Sequence, residues 1–400
     1  MKRSDWAAVA VALVMVLIFA WVHQARVAED DSGRVVKVGF VYAGDESTPY
    51  SYNFIRAQRA LETAYGDRVE ILAVSNLPES EAEDTLRGLA ESGCELIFSN
   101  SVEYEGAMLA AAAEYPAVQF CQGAASAANT EGSPENYHTF MGEIYQGRYV
   151  SGVVAGLKLR ELIEDGTVTE AKAKVGYVAA VPCAEVISGY TAFILGVRSV
   201  VPSALMTVRY TNTWTSYDLE KKAAEALLAE GCVILSQHSD TIGPAVACEA
   251  KAEERPVFIV GYNQSMMDVA PTTALVSCRI NWGPYVVAAF EAVLAHDPIE
   301  KHVKAHVHGN DASAGFQRDW VQMLELNDYI AAEGTREAME EAVADLRAGR
   351  VQVFKGPYTG VNFQDPGDTV DLSGGFTENR NSSAPSFCYI LEGIVNIRGN

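Results

Sequence analysis

The chain has 400 residues, of which 49% are hydrophobic, and a formal net charge of −22 at pH 7. This length is sufficient for two domains of ordinary size. The acidic excess without a basic block argues against nucleic acid and against an anionic membrane surface as partners, because both require clustered Lys and Arg. The seven cysteines are widely spaced, without a CxxC pair or a Cys/His cluster, so we expect small core residues rather than a zinc site.

An apolar segment at residues 6–22 follows Lys2 and Arg3 near the N-terminus. Its length approaches the ~20 residues of a membrane-spanning helix, and the basic flank predicts that the chain leaves the cytoplasm C-terminally. A cleaved signal peptide is the alternative, although no good cleavage motif follows. We therefore expect residues 1–35 to be an anchor and tether that hold the protein at the extracytoplasmic face of the cell membrane. If the segment is cleaved, the protein is instead secreted.

The first predicted unit after the tether is a strand, a turn and a helix. The apolar run at 38–43 is typical of a buried strand, and the run RAQRALETAYG has helical spacing. The turn between them carries a single glycine, Gly44, so it does not match a glycine-rich phosphate loop. It carries Tyr50 and Tyr52 instead, which suits stacking on a flat ring.

The same unit occurs twice along the chain. KVGFVYA at 37–43 matches KVGYVAA at 174–180, and LRGLAESGCELIFSN matches AEALLAEGCVILSQH, both at an offset of about 137 residues. Alternating strands and helices predict parallel sheets with right-handed crossovers, and two copies predict two similar α/β lobes. Ligands of such sheets bind outside the carboxyl ends of the strands.

The predicted strand ends combine aromatic rings with amide and carboxylate side chains. Aromatic rings stack on the faces of a heteroatom-rich ring, while amides and carboxylates recognise its edges. For any single aromatic residue, an ordinary place in the core or between the lobes is the alternative. The candidate ligand-binding residues are Tyr50, Ser51, Tyr52, Asn100, Tyr104, Glu185, Trp214, Gln237, Asp240, Asn263, Asn281 and Trp282.

The sequence carries none of the common catalytic motifs. GxSxG, HExxH, GxxxxGK[ST] and GxGxxG are absent. Ser236, His238 and Asp240 lie on one strand end, whereas a catalytic triad brings these groups together from different loops. The histidines between positions 302 and 308 could indicate a metal, but they are expected to lie on the surface. We expect no enzymatic activity, no cofactor and no metal.

Several sequence blocks resemble one family: MGEIYQGRYVSGVVAG, KVGYVAAVPCAEVISGYTAFILGVRSV, TNTWTSYDLEKKAAEALLAEG, SQHSDTIGPA, VGYNQSM and INWGPY. With these blocks in order, residues 36–397 resemble the basic membrane protein (BMP, PnrA-like) family of ABC-transporter substrate-binding proteins. The resemblance implies the type I periplasmic-binding fold, in which two doubly wound parallel-sheet lobes are joined by a three-crossing hinge. It also implies that the protein captures nucleosides or free purine bases and delivers them to ABC permease subunits.

The lobe boundaries follow from the repeat and from this resemblance. We assign residues 36–165 and 272–298 to ligand-binding lobe 1, and residues 166–271 and 299–360 to ligand-binding lobe 2. Residues 361–400 form a C-terminal segment.

The resemblance also implies roles for single residues. Tyr50 stands where a stacking tryptophan is common, Trp214 matches the second stacking residue, and Glu185 is a candidate acceptor for a ring N–H. Ile280 aligns with a lysine that reaches the ribose in the nucleoside-binding branch, and Asn263 stands where an aspartate would help to hold ribose hydroxyls. These departures favour a free base such as adenine over a nucleoside.

The expected function is a membrane-anchored purine-binding protein of an ABC importer. A ligand sensor of the same fold that signals to a membrane partner is the alternative. A nucleoside hydrolase is disfavoured because the sequence has no Asp-rich metal cluster. Family members are usually lipoproteins, but this chain has no cysteine after its apolar segment, so the segment at 6–22 would have to provide the anchor.

Overall fold

The computed structural model describes residues 33–124 and 127–397. The segment at 6–22 that we predict to span a membrane lies outside these residues. Within them, no helix has the length and apolar character needed to cross a bilayer.

The described residues form two seven-stranded sheets, one in each lobe. The first sheet contains β1 (Val36–Val41), β2 (Val69–Val74), β3 (Leu96–Ser99), β4 (Gln119–Gly123), β5 (Tyr137–Gly142), β11 (His306–His308) and β12 (Asp311–Ala314). Its strand order is β11-β12-β5-β4-β3-β1-β2. All neighbours pair in parallel except β11, which runs antiparallel to β12 at one edge.

The second sheet repeats this arrangement. It contains β6 (Lys174–Ala179), β7 (Leu205–Tyr210), β8 (Ile234–His238), β9 (Phe258–Tyr262), β10 (Ala274–Ile280), β13 (Val321–Met323) and β17 (Ile394–Ile397). Its order is β13-β10-β9-β8-β6-β7-β17, with β13 antiparallel to β10. A third sheet joins β14 (Thr359–Asn362), β15 (Thr369–Asp371) and β16 (Tyr389–Leu391). The two parallel sheets confirm the predicted α/β class and the internal repeat.

Helices cover the faces of both large sheets. They are α1 (Pro49–Tyr65), α2 (Ala82–Glu91), α3 (Glu105–Glu114), α4 (Tyr145–Glu164), α5 (Ala184–Val200), α6 (Tyr217–Ala229), α7 (Gly243–Ala252), α8 (Gly283–Leu294), α9 (Ile299–His302) and α10 (Thr335–Arg347). The inner strands β3, β8 and β9 are buried along their whole length, as expected for strands covered on both faces. Five of the seven cysteines are buried, which agrees with the expected core role.

Glycines allow α4 and α5 to pack in close contact. A Cβ on Gly152 of α4 would lie 2.0 Å from the Phe193 carbonyl oxygen, and one on Gly196 of α5 would lie 2.1 Å from that of Tyr149. Only glycine permits two helix backbones to approach so closely. This contact fixes α5, whose first turn carries Glu185.

The chain crosses between the two large sheets three times before β13, as the family resemblance implied. The predicted lobe boundaries are wrong in two places. Strand β10 within 272–298 continues the second sheet, because it pairs in parallel with β9. Strands β11 and β12 within 299–360 belong to the first sheet, because β12 pairs with β5. The crossings therefore lie at the ends of β5, β10 and β12.

Candidate functional site

A cavity of about 400 Å³ lies between the two lobes, at the carboxyl ends of the strands. The first lobe contributes Tyr50 and Ser51 of α1, and the second contributes Glu185, Trp214 and Asp240. This volume lies within the range of small-molecule binding sites. The position also agrees with the rule that doubly wound sheets bind ligands at this edge.

The wall of the first lobe is a turn held by side-chain hydrogen bonds. The Ser51 hydroxyl oxygen accepts from the Gly44 N–H and from the Asn100 side-chain amide, each at 3.1 Å, and Asn100 Oδ1 accepts from the Ala43 N–H at 2.9 Å. A Cβ on Gly44 would come within 2.7 Å of the Thr48 hydroxyl, so the turn requires glycine. The amide of Asn100 therefore holds the turn, and Tyr50 is presented to the cavity from the start of α1.

The wall of the second lobe joins loops that follow β7 and β8 to the start of α5. The Asp240 N–H donates to the Trp214 carbonyl at 3.0 Å, which ties the two loops together. Burial, together with the positive charge of Arg148, lowers the pKa of His238 to about 4. The imidazole is therefore neutral at pH 7, and its Nε2 can donate to Glu185 Oε1 at 3.3 Å.

The Asp240 carboxyl has an unusual protonation state. Burial, assisted by the charges of Glu220 and Glu185, raises its pKa to about 8. It is therefore predominantly protonated at pH 7 and can donate a hydrogen bond as well as accept one. Burial also raises the pKa of Tyr50 well above 10, which keeps its phenol neutral. The cavity thus contains both donors and acceptors on its second-lobe wall.

Half of the sequence-predicted site residues line this cavity: Tyr50, Ser51, Asn100, Glu185, Trp214 and Asp240. Their role in binding stays a prediction. His238 and Tyr262 also line the cavity, although neither was among the predicted ligand-binding residues. Tyr262 is the last residue of the apolar strand β9, so its place at a strand end was a signal that could have identified it.

Three predicted residues lie in the core or in a loop instead. Trp282 is 1% exposed, and its ring stacks on Phe54 with centroids 4.3 Å apart. Tyr104 is equally buried and donates its hydroxyl to the Leu77 carbonyl. The Gln237 amide donates to the carbonyls of residues 239 and 241, which shapes the loop after β8. These side chains support the walls rather than face the cavity.

The other three predicted residues lie at the edges of the site. Asn263 has a left-handed φ of 66° and accepts hydrogen bonds from Asn53 at 3.0 Å, which links the two lobes. Asn281 donates to the Asp319 carbonyl at 2.9 Å. The Tyr52 ring lies 5.9 Å from the Arg56 guanidinium, one helical turn further along α1. None of the three is among the described residues that line the cavity.

Comparison with known proteins identifies the family. The family described as ABC transporter substrate-binding protein, PnrA-like, matches residues 35–344. The chain belongs to this family. A purine-binding protein of Brucella abortus (strain 2308) is 29% identical over 329 residues, which cover 80% of this chain and 84% of that protein.

Two further proteins are similar over most of the chain. A Haloferax volcanii protein that is provisionally named an ABC transporter glucose-binding protein is 28% identical over 342 residues, covering 85% of this chain and 80% of its own. The crystal structure of an ABC transporter solute-binding protein from Aeropyrum pernix K1 has a TM-score of 0.63 at 14% identity. It covers 79% of this chain and 92% of its own, and at this identity it supports the fold alone.

Proposed function

We propose that this substrate-binding protein captures a purine, and a free base such as adenine in preference to a nucleoside. The observation that carries the proposal is the cavity between the lobes, which has an aromatic ring on each wall, Tyr50 and Trp214, and the carboxyl groups of Glu185 and Asp240. The named purine-binding relative supports the same ligand class.

The cavity chemistry suits a flat heterocycle. Tyr50 and Trp214 provide apolar ring surface, which favours stacking. Glu185 can accept from a ring N–H, and the protonated Asp240 can donate to a ring nitrogen or carbonyl oxygen. A ligand that contacts both walls stabilises the closed arrangement of the lobes, because its contacts with the two walls are complete only there.

The preference for a free base rests on the sugar side of the site. Ile280, which aligns with a ribose-binding lysine, is 1% exposed and lies 2.7 Å from the position a Cβ on Gly142 would take. Asn263 Oδ1 accepts from Asn53, although its Nδ2 has no partner among the described residues, and Asn281 donates to Asp319. A buried polar group of the ligand that finds no partner costs about 1–3 kcal/mol, so ribose hydroxyls would be poorly accommodated.

The proposed setting is the extracytoplasmic face of the cell membrane. Residues 6–22 would hold the protein there, and the permease subunits of an ABC importer would receive the ligand at the mouth of the cavity. The closing of the two lobes, rather than any catalytic step, is the proposed working motion.

Calorimetric titration of the full-length protein tests the ligand class. The panel is adenine, adenosine, guanine, guanosine and glucose, the last because of the name of the Haloferax relative. We expect adenine to bind most tightly and glucose to give no saturable heat. Saturable glucose binding without purine binding would refute the proposal, while tighter binding of a nucleoside would refute only the preference for the base.

A further inference from the structure

A loop near the C-terminus, residues 378–387, holds its shape through its own hydrogen bonds. At its base, Glu378 Oε2 accepts from the Phe387 N–H at 2.9 Å. At its tip, the Asn379 side-chain amide donates to the Ser383 carbonyl at 2.6 Å. The part of the chain that the family model matches ends before this loop. Membership of the family therefore assigns the loop no role.

The base of the loop is fixed to the second lobe. Phe387 is fully buried, and its ring stacks on Phe354 with centroids 4.4 Å apart. The Phe354 ring in turn lies 5.4 Å from that of Tyr145, the first residue of α4, which packs against α5. Further along the chain, Arg198 of α5 donates to the Glu392 carbonyl at 2.9 Å, and β17 pairs with β7 in the second sheet. The chain that follows the loop is therefore part of the second lobe.

The tip of the loop reaches the first lobe. The Ser383 N–H donates to Asp311 Oδ2 at 2.6 Å, and the two residues are buried, at 0% and 2% exposed. The other oxygen of the same carboxylate accepts from the Thr139 hydroxyl at 2.7 Å. Asp311 lies on β12 and Thr139 on β5, which are neighbours in the first sheet. One buried carboxylate thus joins its own lobe to a loop that is fixed on the other lobe, through hydrogen bonds of the strong, charge-assisted kind.

We propose that the loop at residues 378–387 is a clasp across the hinge that stabilises the closed arrangement of the lobes. In this arrangement the lobes also meet across the cleft, where the Asn53 side-chain amide donates to Asn263 Oδ1 at 3.0 Å. Because the base of the clasp is fixed to one lobe and its tip to the other, a rotation that opens the cleft displaces Ser383 from Asp311. The clasp thereby raises the population of closed protein before any ligand binds, and with it the apparent affinity for a ligand.

Two substitutions release the clasp from opposite ends of one hydrogen bond. Asp311→Asn replaces the oxygen that accepts from Ser383 with an amide that donates, whereas Ser383→Pro removes the N–H and leaves β12 unchanged. Thr139→Val is the matched control, because it removes the other hydrogen bond of the same carboxylate, which stays within the first lobe. These three residues are not among the described residues that line the cavity, so the variants leave its walls intact.

Amide hydrogen exchange of the ligand-free, full-length protein, followed by mass spectrometry, measures the opening of the cleft. We expect both clasp variants to exchange about tenfold faster than wild type in the segments around Asn53 and Asn263, because a hydrogen bond to a charged group contributes about that factor to the closed state. Thr139→Val should leave exchange in these segments at the wild-type rate. If one clasp variant fails to fold, the other carries the test.

Three results would overturn the inference. The first is exchange at the cleft that is unchanged in the clasp variants, with any increase confined to residues 378–387, because the loop would then only pack on the surface. The second is an equal increase at the cleft in Thr139→Val. The third is loss of the thermal unfolding transition in both clasp variants, because the contact would then be needed to build the fold. The measurement uses no ligand, so its result does not depend on whether the protein binds purines.

Discussion

Relative to the wild-type protein, the Asp240→Asn variant should become progressively more stable as the pH rises from 5 to 7. In the folded protein the pKa of Asp240 is raised from 3.8 to about 8, chiefly by burial and further by Glu220 and Glu185. The unfolded chain has lost this proton at pH 5, whereas the folded protein keeps it through pH 7. Unfolding therefore releases a proton throughout this interval, and raising the pH destabilises the wild-type protein.

The size of the effect follows from proton linkage. One proton released over two pH units lowers the free energy of unfolding by about 2.7 kcal/mol. Because burial also raises the pKa of Glu220, whose charge acts on Asp240, part of this change is shared, and we expect about 2 kcal/mol. Asparagine does not titrate, so the variant lacks this slope. The stability difference between Asp240→Asn and wild type should thus grow by this amount from pH 5 to pH 7.

Urea unfolding of the full-length protein, followed by circular dichroism at several pH values, measures this difference. His238 titrates in the opposite sense, since its folded pKa is lowered to about 4 and stability rises with pH between about 4 and 6.5. Comparison of variant with wild type largely cancels that contribution. Exposed Asp218→Asn serves as the control and should show no such growth. A stability difference for Asp240→Asn that is constant across the interval would refute the reasoning.

Three further predictions concern the ligand and the anchor. In calorimetry, Trp214→Ala should weaken adenine binding by about 1–3 kcal/mol and Tyr50→Trp should bind adenine at least as tightly as wild type, because each ring is proposed to stack on the base. Unchanged binding by Trp214→Ala would show that the proposed site is wrong. Adenine should bind at least about tenfold tighter than adenosine, a margin of ~1.4 kcal/mol, and Glu185→Gln should lose much of that affinity; tighter adenosine binding would contradict this. If residues 6–22 are an uncleaved anchor, the protein should sediment with membranes and keep its N-terminus. A mature chain that begins near residue 26 or 29 in mass spectrometry would exclude such an anchor.

The sequence predicts the fold well because the relevant signals are local and repeated. The apolar runs of β1 and β6 and the glycine stops at Gly93 and Gly231 recur at nearly the same offset, and each marks one strand or helix end. Two copies of such a unit therefore predict two similar lobes. The lobe boundaries were harder to predict from the sequence, because strand β10 is equally apolar whichever sheet it joins. Its pairing with β9 is a long-range contact that no local pattern specifies.

The candidate site is only half predictable for a related reason. A strand end fixes where a residue lies along the sheet, but not which side of the loop its side chain takes. Trp214 and Trp282 both follow strands, yet the first lines the cavity and the second stacks on Phe54 in the core. Asn100 shows the same limit: it lines the cavity as predicted, but its amide is bonded to the backbone of Ala43 and to Ser51.

Two ionisable groups beside one cavity suggest how binding and stability are linked here. Arg148 carries a charge without hydrogen bonds, and Asp240 holds a proton that it would lose in water at neutral pH. Both features oppose folding. A ligand that donates to Glu185 and accepts from Asp240 would use the retained proton, because that proton makes Asp240 a donor. The cavity would then be less stable than an apolar one, but it would recognise a ligand edge on which a donor and an acceptor alternate.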